Sequence, residues 1–345
     1  MAERVGDPAG SAVPRDRLNV LVTGGLGSLG LEAARALVAE GHRVRCFDLR
    51  TRATRHRRRS IGGAAEIVWG DVCDHEAVRR AVAGQDAVIH CAAILFPDSD
   101  QAPERAQSVN VGGTRNLIEA MRASERRPAL VFPSSISVYG RGRTEGPPRR
   151  VDDPLNPGTQ YAKHKVECEE MVRDSGLPWT ILRVGAAIEP GASSKLTPLA
   201  LRTMFEVTLD TRIEWVHPAD VGLAMARAAG RPDLRSKVLL IGGGPACRAT
   251  QRDFFAVAFD AIGIGMLPEA AFGRGGFEMD WMETEESQRL LAFQRHGWAD
   301  FRTGFMDGMR LTRWALWPLR PLVRRGLLFF SASWREHRAR GRRRV

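Results

Sequence analysis

The stretch Thr23-Gly24-Gly25-Leu26-Gly27-Ser28-Leu29-Gly30 follows directly on Leu18–Thr23, a short apolar run rich in residues that favour β-strands. Apolar residues at helical spacing come next, over Leu29–Glu40, and Gly41 is a typical helix stop. Glycines at this spacing allow a tight turn and a close approach of backbone amides to a pyrophosphate. The sequence therefore predicts a strand, a dinucleotide-binding turn and a helix. The turn residues expected at the cofactor are Thr23, Gly24, Gly27, Ser28, Leu29 and Gly30.

Strand and helix patterns continue to alternate along the chain. Further strands are predicted at Arg43–Phe47, Glu66–Trp69, Ala87–Cys91, Ala129–Phe132 and Trp179–Val184, with helices at Glu104–Arg122 and Thr159–Asp174 between them. Because nearly all-apolar strands separated by helices are typical of a parallel sheet covered on both faces, the pattern predicts an α/β, doubly wound fold. After about residue 185 the pattern loosens, and the helix Pro218–Ala229 and the strand Lys237–Ile241 are expected to return to the sheet.

These patterns divide the 345 residues into four parts. Residues 1–16 are charged and rich in proline and glycine, which predicts a flexible leader. Residues 17–244 are predicted to form a Rossmann-type nucleotide-binding domain, with 186–212 contributing to a substrate lobe. Residues 245–309 are expected to form the rest of that smaller C-terminal lobe, and 310–345 are a basic, aromatic C-terminal segment.

The net charge of +11 is concentrated in short segments. Residues 310–345 hold eleven arginines against the single acid Glu336, and a second cluster over 50–59 holds six arginines and no acid. The residues outside 310–345 sum to about +1, so the basicity is local and does not predict a specific nucleic-acid interface. Arginines interrupt the apolar run of the C-terminal segment, which excludes a membrane-spanning helix there. Two interpretations stay open: a peripheral anchor on anionic membrane, or a helix docked on the lobe with a solvated tail.

The five cysteines are scattered, without a CxxC pair or a cluster at metal-ligand spacing. This pattern favours a reducing compartment and predicts no structural metal. We therefore expect a cytoplasmic protein, with peripheral membrane association as the alternative that the C-terminal segment leaves open.

Asp48 stands 18 residues beyond Gly30, at the end of the second predicted strand. A carboxylate there accepts hydrogen bonds from an adenosine ribose and repels a 2′-phosphate, which favours NAD over NADP. The arginine cluster that begins at Arg50 keeps NADP open, because a guanidinium can receive that phosphate.

Tyr161 and Lys165 are four residues apart in Tyr161-Ala162-Lys163-His164-Lys165, and this spacing puts them on one face of a helix. A tyrosine with a pKa of about 10 is a poor base at neutral pH. A neighbouring ammonium, together with a positive nicotinamide, stabilises the phenolate. The pair is therefore predicted to handle the proton of a hydride-transfer reaction. The stretch Pro133–Gly140, after the fifth strand, offers serine hydroxyls to the same crevice.

The chain resembles the extended short-chain dehydrogenase/reductases, also called the NAD-dependent epimerase/dehydratase family, over roughly residues 18–305. The resemblance rests on the glycine turn, Asp48, Gly70-Asp71-Val72, His90-Cys91-Ala92-Ala93, Asn110-Val111-Gly112-Gly113-Thr114, Ser134–Gly140, Tyr161–Lys165 and Trp215–Val221. It implies that Asp71 and Val72 flank the adenine and that Ala92 and Ala93 line the cofactor cleft. It also implies that Lys165 binds the nicotinamide ribose.

The same resemblance implies the remaining catalytic residues. Alignment on Val138-Tyr139-Gly140 places the catalytic hydroxyl at Ser135, with Ser134 as the alternative, and Asn110 is expected to support the site. Ile136 and Ser137 stand where the family's dehydratases carry an Asp-Glu pair, so dehydration is not expected. Arg183 is kept, but the proline and the Tyr-Gly-Pro stretch that sugar-nucleotide enzymes show after this strand are missing.

The sequence therefore predicts an NAD(P)-dependent oxidoreductase that interconverts a secondary alcohol and a ketone, with Tyr161 as general acid/base. The expected partner is a small apolar substrate of sterol, polyketide or lipid type. A sugar-nucleotide epimerase with tightly bound NAD is one alternative, and a non-catalytic NAD(P)-binding sensor or assembly factor is another. The sequence leaves a homodimer open.

Overall fold

A parallel sheet of seven strands forms the centre of the computed structural model, which describes residues 17–190 and 198–342. The strands are β1 Asn19–Thr23, β2 Arg43–Asp48, β3 Glu66–Trp69, β4 Ala87–His90, β5 Ala129–Ser135, β6 Trp179–Val184 and, after a short β7, β8 Lys237–Ile241. Their order in the sheet is β3-β2-β1-β4-β5-β6-β8. Strands β7 Arg212–Glu214 and β9 Arg248–Thr250 form a separate antiparallel pair. The predicted leader, 1–16, lies outside the described residues.

Helices cover both faces of the sheet and build the lobe. They are α1 Ser28–Ala39, α2 Arg52–Arg57, α3 His75–Val82, α4 Asp98–Gln101, α5 Pro103–Gln107, α6 Gly113–Ala123, α7 Gln160–Arg173, α8 Pro198–Glu206, α9 Pro218–Ala228, α10 Gln251–Ala261, α11 Glu285–Leu291, α12 Trp298–Gly308, α13 Arg310–Leu316, α14 Arg320–Phe330 and α15 Ala332–Arg342. The predicted doubly wound α/β fold is confirmed. The order of the strands reverses between β1 and β4, and in such sheets ligands bind at the carboxyl ends of the strands beside that point.

Strand β5 is longer than the sequence predicts and reaches Ser135 instead of Phe132. Its pairing with β4 ends at Val131. Pro133 has no backbone N–H to donate, but no hydrogen bond to β4 is needed at that position. Its pairing with β6 continues to Ser135 opposite Val184. The extension delivers both candidate serines to the carboxyl edge of the sheet.

The helix predicted over Glu104–Arg122 is interrupted. A π-helical turn, Ser108–Gly112, separates α5 from α6 and buries Asn110 and Val111. Such turns carry one extra residue and are frequent at functional sites. The hydrophobic periodicity could not show this, because a single turn of altered pitch leaves the apolar face almost unchanged.

The predicted return of α9 and β8 to the main sheet is also confirmed. Strand β8 extends the sheet beside β6, and α9 packs closely against α1. A Cβ on Gly222 would lie 2.7 Å from the Cβ of Glu32, so only glycine allows this approach. Leu291 and Phe293, within the 245–309 segment, pack into the main core as well.

A second apolar core lies in the lobe around Phe205, Phe259 and Phe272. The C-terminal helices contribute to it through partly buried side chains on α14 and α15: Val323, Leu327, Leu328, Phe330 and Trp334. The basic segment is therefore docked on the lobe along one face. Within residues 17–190 and 198–342, no helix is both long and apolar enough to cross a membrane.

Candidate active site

The glycine turn between β1 and α1 forms a cradle that excludes side chains. Gly24 has a φ of +62°, and a Cβ there would lie 2.8 Å from the backbone nitrogen of Ala92. A Cβ on Gly30 would lie 2.1 Å from the carbonyl oxygen of Gly24. Helix α1 begins at Ser28, so its free amides point into the turn. The cradle fits a pyrophosphate at a helix N-terminus, as the sequence predicts for a dinucleotide.

Asp48 lies at the end of β2 beside this cradle. It accepts hydrogen bonds from the backbone amides of Leu26 at 2.9 Å and Leu49 at 2.8 Å. Burial raises the pKa of the Asp48 carboxyl, while these two amides and the charge of Arg57 act in the opposite direction. Each carboxylate oxygen keeps a lone pair, so Asp48 can still accept hydrogen bonds from ribose hydroxyls.

Arg57, rather than Arg50 or Arg52, is the arginine of the basic cluster that reaches the turn. Helix α2 carries it back over the glycines, where its guanidinium donates to the carbonyl oxygen of Leu26 at 3.3 Å. Arg57 was not predicted from the sequence, because proximity to Asp48 in sequence favoured the first arginines of the cluster. Thr51 is a helix N-cap in a capping box, and a helix predicted from it would have indicated that the chain turns back toward the glycines.

The other predicted cofactor residues lie at the carboxyl ends of β3 and β4. Asp71 accepts the amide hydrogen of Cys73, and Val72 is buried against Gly113, where a Cβ would lie 2.8 Å from a Val72 methyl. Ala92 and Ala93 are half-buried directly after β4. These residues line the edge of the sheet that the glycine cradle also faces.

His90 connects the end of β1 to the start of α6. Its Nδ1 lies 2.6 Å from the Thr23 hydroxyl and its Nε2 lies 3.1 Å from the Thr114 hydroxyl. Burial, assisted by the charge of Lys165, lowers the pKa of His90 to about 3. The ring is therefore neutral in the physiological range and acts as a fixed hydrogen-bonding link.

Ser135, Tyr161 and Lys165 come together at the carboxyl edge of β5. Tyr161 is in the first turn of α7, and a hydrogen bond with the Ser135 side chain lowers its pKa against the larger, opposing effect of burial. Lys165 is buried, donates to the carbonyl oxygen of Pro133 at 2.6 Å, and has its Nζ 5.7 Å from the centre of the Tyr161 ring. Burial lowers the pKa of the Lys165 ammonium.

The pKa of Tyr161 bears on one sequence-based expectation. The sequence predicts that Lys165 and a positive nicotinamide together stabilise the Tyr161 phenolate. Among the protein's own groups, burial has the largest effect and raises the pKa of Tyr161. The Lys165 ammonium donates to the carbonyl oxygen of Pro133 and lies beside the tyrosine ring.

Asn110 holds the loop after β4 and does not contact Tyr161 in the described hydrogen-bond network. Its side-chain oxygen accepts from the amide of Ile94 at 2.7 Å, and its nitrogen donates to the carbonyl of Ile94 at 2.9 Å. The nitrogen also lies 3.3 Å from Nδ1 of His164 on α7. Asn110 therefore fixes this loop to the helix that carries Tyr161, in line with the supporting role that the resemblance implies.

Ser134 takes part in a buried ion-pair network on the other side of β5. It donates to Glu169 at 2.6 Å, and Glu169 receives two hydrogen bonds from Arg183, at 3.0 and 2.8 Å. Arg183 also donates to the hydroxyl of Tyr139 at 2.6 Å. The Arg183 guanidinium holds the pKa of Glu169 below its usual value against the opposing effect of burial. Glu169 was missed at the sequence level, although an acid on the buried face of α7 is a signal for a partner.

Apolar side chains lie on the loop after β4, which Asn110 binds, and on the segment packed against it. We call Ile94, Leu95, Phe96 and Phe277 the apolar rim. Leu95 is 57% exposed, and the Phe96 and Phe277 rings meet edge to face with centroids 6.3 Å apart. Asp100, further along the same loop, accepts the amide hydrogen of Gln160 at 3.2 Å. The loop is thus tied to the first turn of α7, next to Tyr161.

Four arginines in and beside the lobe pair with two buried acids. Asp280 receives the guanidinium groups of Arg143, Arg149 and Arg212, with the closest contact 2.7 Å from Arg212. Arg248 pairs with Glu214 at 3.1 Å. These ion pairs hold this part of the protein together. Asp153 also lies 3.5 Å from Arg143 and 3.7 Å from Arg149, so the three arginines around Asp280 are partly, not fully, balanced by acids.

Part of the chain is similar in sequence to characterised enzymes. The UDP-glucose 4-epimerase of Lactobacillus helveticus is 34% identical over 173 residues, which are 48% of this chain and 51% of that protein. The 3 beta-hydroxysteroid dehydrogenase/Delta 5-->4-isomerase of Mycobacterium tuberculosis is 36% identical over 152 residues, 41% of this chain and 38% of that protein. The chain spans about half the length, or less, of these curated relatives.

A solved structure shares the fold over nearly its full length. The UDP-glucose-4-epimerase of Stenotrophomonas maltophila, crystallised with NAD and formylated UDP-arabinopyranose, superposes with a TM-score of 0.70 at 23% identity. The match covers 87% of this chain and 100% of that one.

The decisive comparison is with a family model, which matches residues 20–242 and so contains the glycine cradle, Asp48 and the Ser135, Tyr161 and Lys165 cluster. It confirms the predicted resemblance and, with it, the predicted dependence on a nicotinamide cofactor. The chain belongs to the NAD dependent epimerase/dehydratase family.

Proposed function

We propose that the chain interconverts a secondary alcohol and a ketone on an apolar substrate, with NAD as the redox partner. The observation that carries the proposal is the cluster of Ser135, Tyr161 and Lys165 at the sheet edge that also holds the glycine cradle. A non-catalytic sensor needs the cradle alone and has no use for a hydroxyl pair beside a buried ammonium.

The mechanism follows from the positions of these side chains. NAD, when bound over the cradle, supplies the acceptor for the hydride that leaves the carbinol carbon. The Ser135 hydroxyl holds the substrate oxygen, and the Tyr161 oxygen takes the proton of the alcohol, so a ketone remains. Lys165 binds the nicotinamide ribose and stabilises the phenolate with its charge. That help is needed because burial alone raises the pKa of Tyr161.

The apolar rim and the paired arginines support an apolar substrate. A sugar nucleotide carries a diphosphate, which proteins bind mainly through arginine guanidiniums and backbone amides. Arg183, Arg212 and Arg248 are already paired with Glu169, Asp280 and Glu214. The hydroxysteroid dehydrogenase relative supports the same class of substrate.

A sugar-nucleotide epimerase is the second candidate, favoured by the similarity to UDP-glucose 4-epimerases. The same tyrosine chemistry serves both reactions, since an epimerase oxidises its substrate and then returns the hydride to the other face. The two differ in whether free NADH accumulates.

The test is an assay of purified protein with excess NAD. We expect NADH to accumulate in proportion to added 3-hydroxysteroids or long-chain secondary alcohols, and not with UDP-glucose or UDP-galactose. Interconversion of the UDP-sugars without net NADH would contradict the proposal and favour the epimerase. Absence of any turnover with both classes would favour the non-catalytic alternative.

Cofactor choice gives a separate prediction. We expect NAD to bind more tightly than NADP, and Asp48→Asn to narrow the difference about tenfold, or about 1.4 kcal/mol, because it removes the charge that repels the 2′-phosphate. Asparagine keeps an oxygen that accepts the Leu26 amide. Arg57→Gln is expected to weaken NADP binding, while Arg55→Gln on the exposed side of α2 serves as the control. Titration of both cofactors by protein fluorescence measures these changes. Tighter binding of NADP by the unaltered protein would show that Arg57 outweighs Asp48.

A further inference from the structure

The exposed large apolar side chains of the described protein are concentrated in the C-terminal helices. Six of them lie there, at 47–81% exposure: Leu311, Trp314, Trp317, Leu319, Leu322 and Phe329. The corresponding residues elsewhere are Leu49, Leu95 and Val151, at 38–57%. Soluble surfaces rarely gather large apolar side chains in this way without a partner. The opposite face of α14 is already used for docking on the lobe, so these side chains are not waiting for a place in the core.

A groove of about 710 Å³ lies between α14 and α15, next to these side chains. Arg324, Arg325, Arg335 and Arg338 line it, together with Phe329 and Trp334, and no carboxylate is among its lining residues in the described part of the chain. Arg324 is partly engaged, since it donates to the carbonyl oxygens of Gly265 and Met266. Arg325, Arg335 and Arg338 are exposed and take part in no described ion pair with an acid.

The combination of groove and apolar side chains fits one class of partner. Arginines concentrated over an aromatic floor attract phosphate-bearing anions. Exposed tryptophans flanked by arginines are typical of segments that lie at a membrane–water interface. A soluble phosphate compound would satisfy the groove but leave Trp314 and Trp317 in water, and a nucleic acid would give Leu311 and Leu322 no apolar surroundings.

We propose that α13–α15 bind the surface of an anionic lipid bilayer, with lipid phosphates in the arginine groove and Trp314 and Trp317 between the headgroups. Helix α8 of the lobe packs against α14 and α15, so the bound orientation holds the lobe beside the lipid. This proposal does not depend on the proposed reaction, because it uses residues of α13–α15 and none of Ser135, Tyr161 and Lys165.

Sedimentation of the full chain with vesicles tests the proposal. We expect binding to vesicles of phosphatidylcholine containing phosphatidylglycerol to be at least about tenfold tighter than to phosphatidylcholine alone. It should be reversed by 1 M salt, where the screening length falls to about 3 Å. The triple change Arg325→Gln, Arg335→Gln, Arg338→Gln should weaken binding about tenfold or more. Replacing Trp314 and Trp317 by serine should weaken it as well, without lowering Tm, since both side chains are mostly exposed.

The matched control uses the other basic cluster. Arg55→Gln, Arg58→Gln and Arg59→Gln remove the same three charges from exposed positions on and after α2, and should leave vesicle binding within about twofold. Equal losses in the two triple variants would overturn the proposal in favour of non-specific attraction. Equal binding to both kinds of vesicle would also overturn it. So would tighter binding to duplex DNA than to vesicles, or complete displacement from vesicles by low concentrations of inorganic pyrophosphate, which would identify a small-anion site.

Discussion

Replacing Tyr161 by phenylalanine is expected to lower kcat by a factor of about a hundred to ten thousand, the usual contribution of a general acid/base. The change removes only the hydroxyl, so the affinity for NAD should stay within about twofold of the original, well below the tenfold step of 1.4 kcal/mol. Initial rates under saturating substrate and a fluorescence titration with NAD measure the two quantities. Retention of more than about a tenth of the activity is incompatible with proton transfer by Tyr161.

The chain offers its own control, because it contains only two tyrosines. Tyr139 is buried and donates its hydroxyl to the carbonyl of Val151 while it accepts from Arg183. Tyr139→Phe should therefore lower the free energy of unfolding by about 1–3 kcal/mol, the cost of a lost buried hydrogen bond to a charged group. It should leave kcat nearly unchanged. The two variants separate loss of chemistry from loss of stability.

The adjacent serines provide the second prediction of large effect. Ser135→Ala should lower kcat about a hundredfold or more, because it removes the hydroxyl beside the Tyr161 oxygen, with little change in Tm. Ser134→Ala should do the opposite. It removes the hydrogen bond to the buried Glu169 and should cost about 1.5–3 kcal/mol of stability while the folded fraction stays active.

Steady-state kinetics and thermal unfolding of both serine variants give the ranking. If Ser134→Ala is the less active of the two folded proteins, the catalytic hydroxyl is Ser134 and the alignment on Val138-Tyr139-Gly140 is shifted by one residue.

The main sheet could be predicted because its signals are local. The strand before Gly24, the spacing of the glycines and the apolar runs each follow from neighbours in sequence. The doubly wound class follows from the alternation of strands and helices, whereas the order of the strands was not predicted. The predicted end of β5 is three residues early, because Pro133 indicates the end of a strand. In the structure Pro133 is paired only with β6, so its missing amide does not end the strand.

Other features depend on contacts between distant segments, which the sequence pattern does not contain. The π-helical turn at Ser108–Gly112 contains Asn110, which hydrogen-bonds to Ile94 in a distant loop. The direction of α2 determines which arginine lies near Asp48. The C-terminal segment had two open interpretations, membrane anchor or docked helix. In the structure one face of this segment is docked on the lobe and the other face is exposed. Docking on the lobe is therefore compatible with membrane binding by the exposed face.

The fate of the substrate hydrogen tests the central claim most directly. A 3-hydroxysteroid carrying deuterium on its carbinol carbon should transfer the deuterium to the nicotinamide of released NADH, leaving a ketone. Tyr161→Phe should show no transfer on the same timescale. Mass spectrometry of the separated cofactor and product measures both. The contradicting result comes from UDP-glucose that carries deuterium at the carbon that inverts. If the protein epimerises this compound, the deuterium stays in the product and no labelled NADH is released with either substrate, the account of this chain as an alcohol–ketone oxidoreductase is wrong.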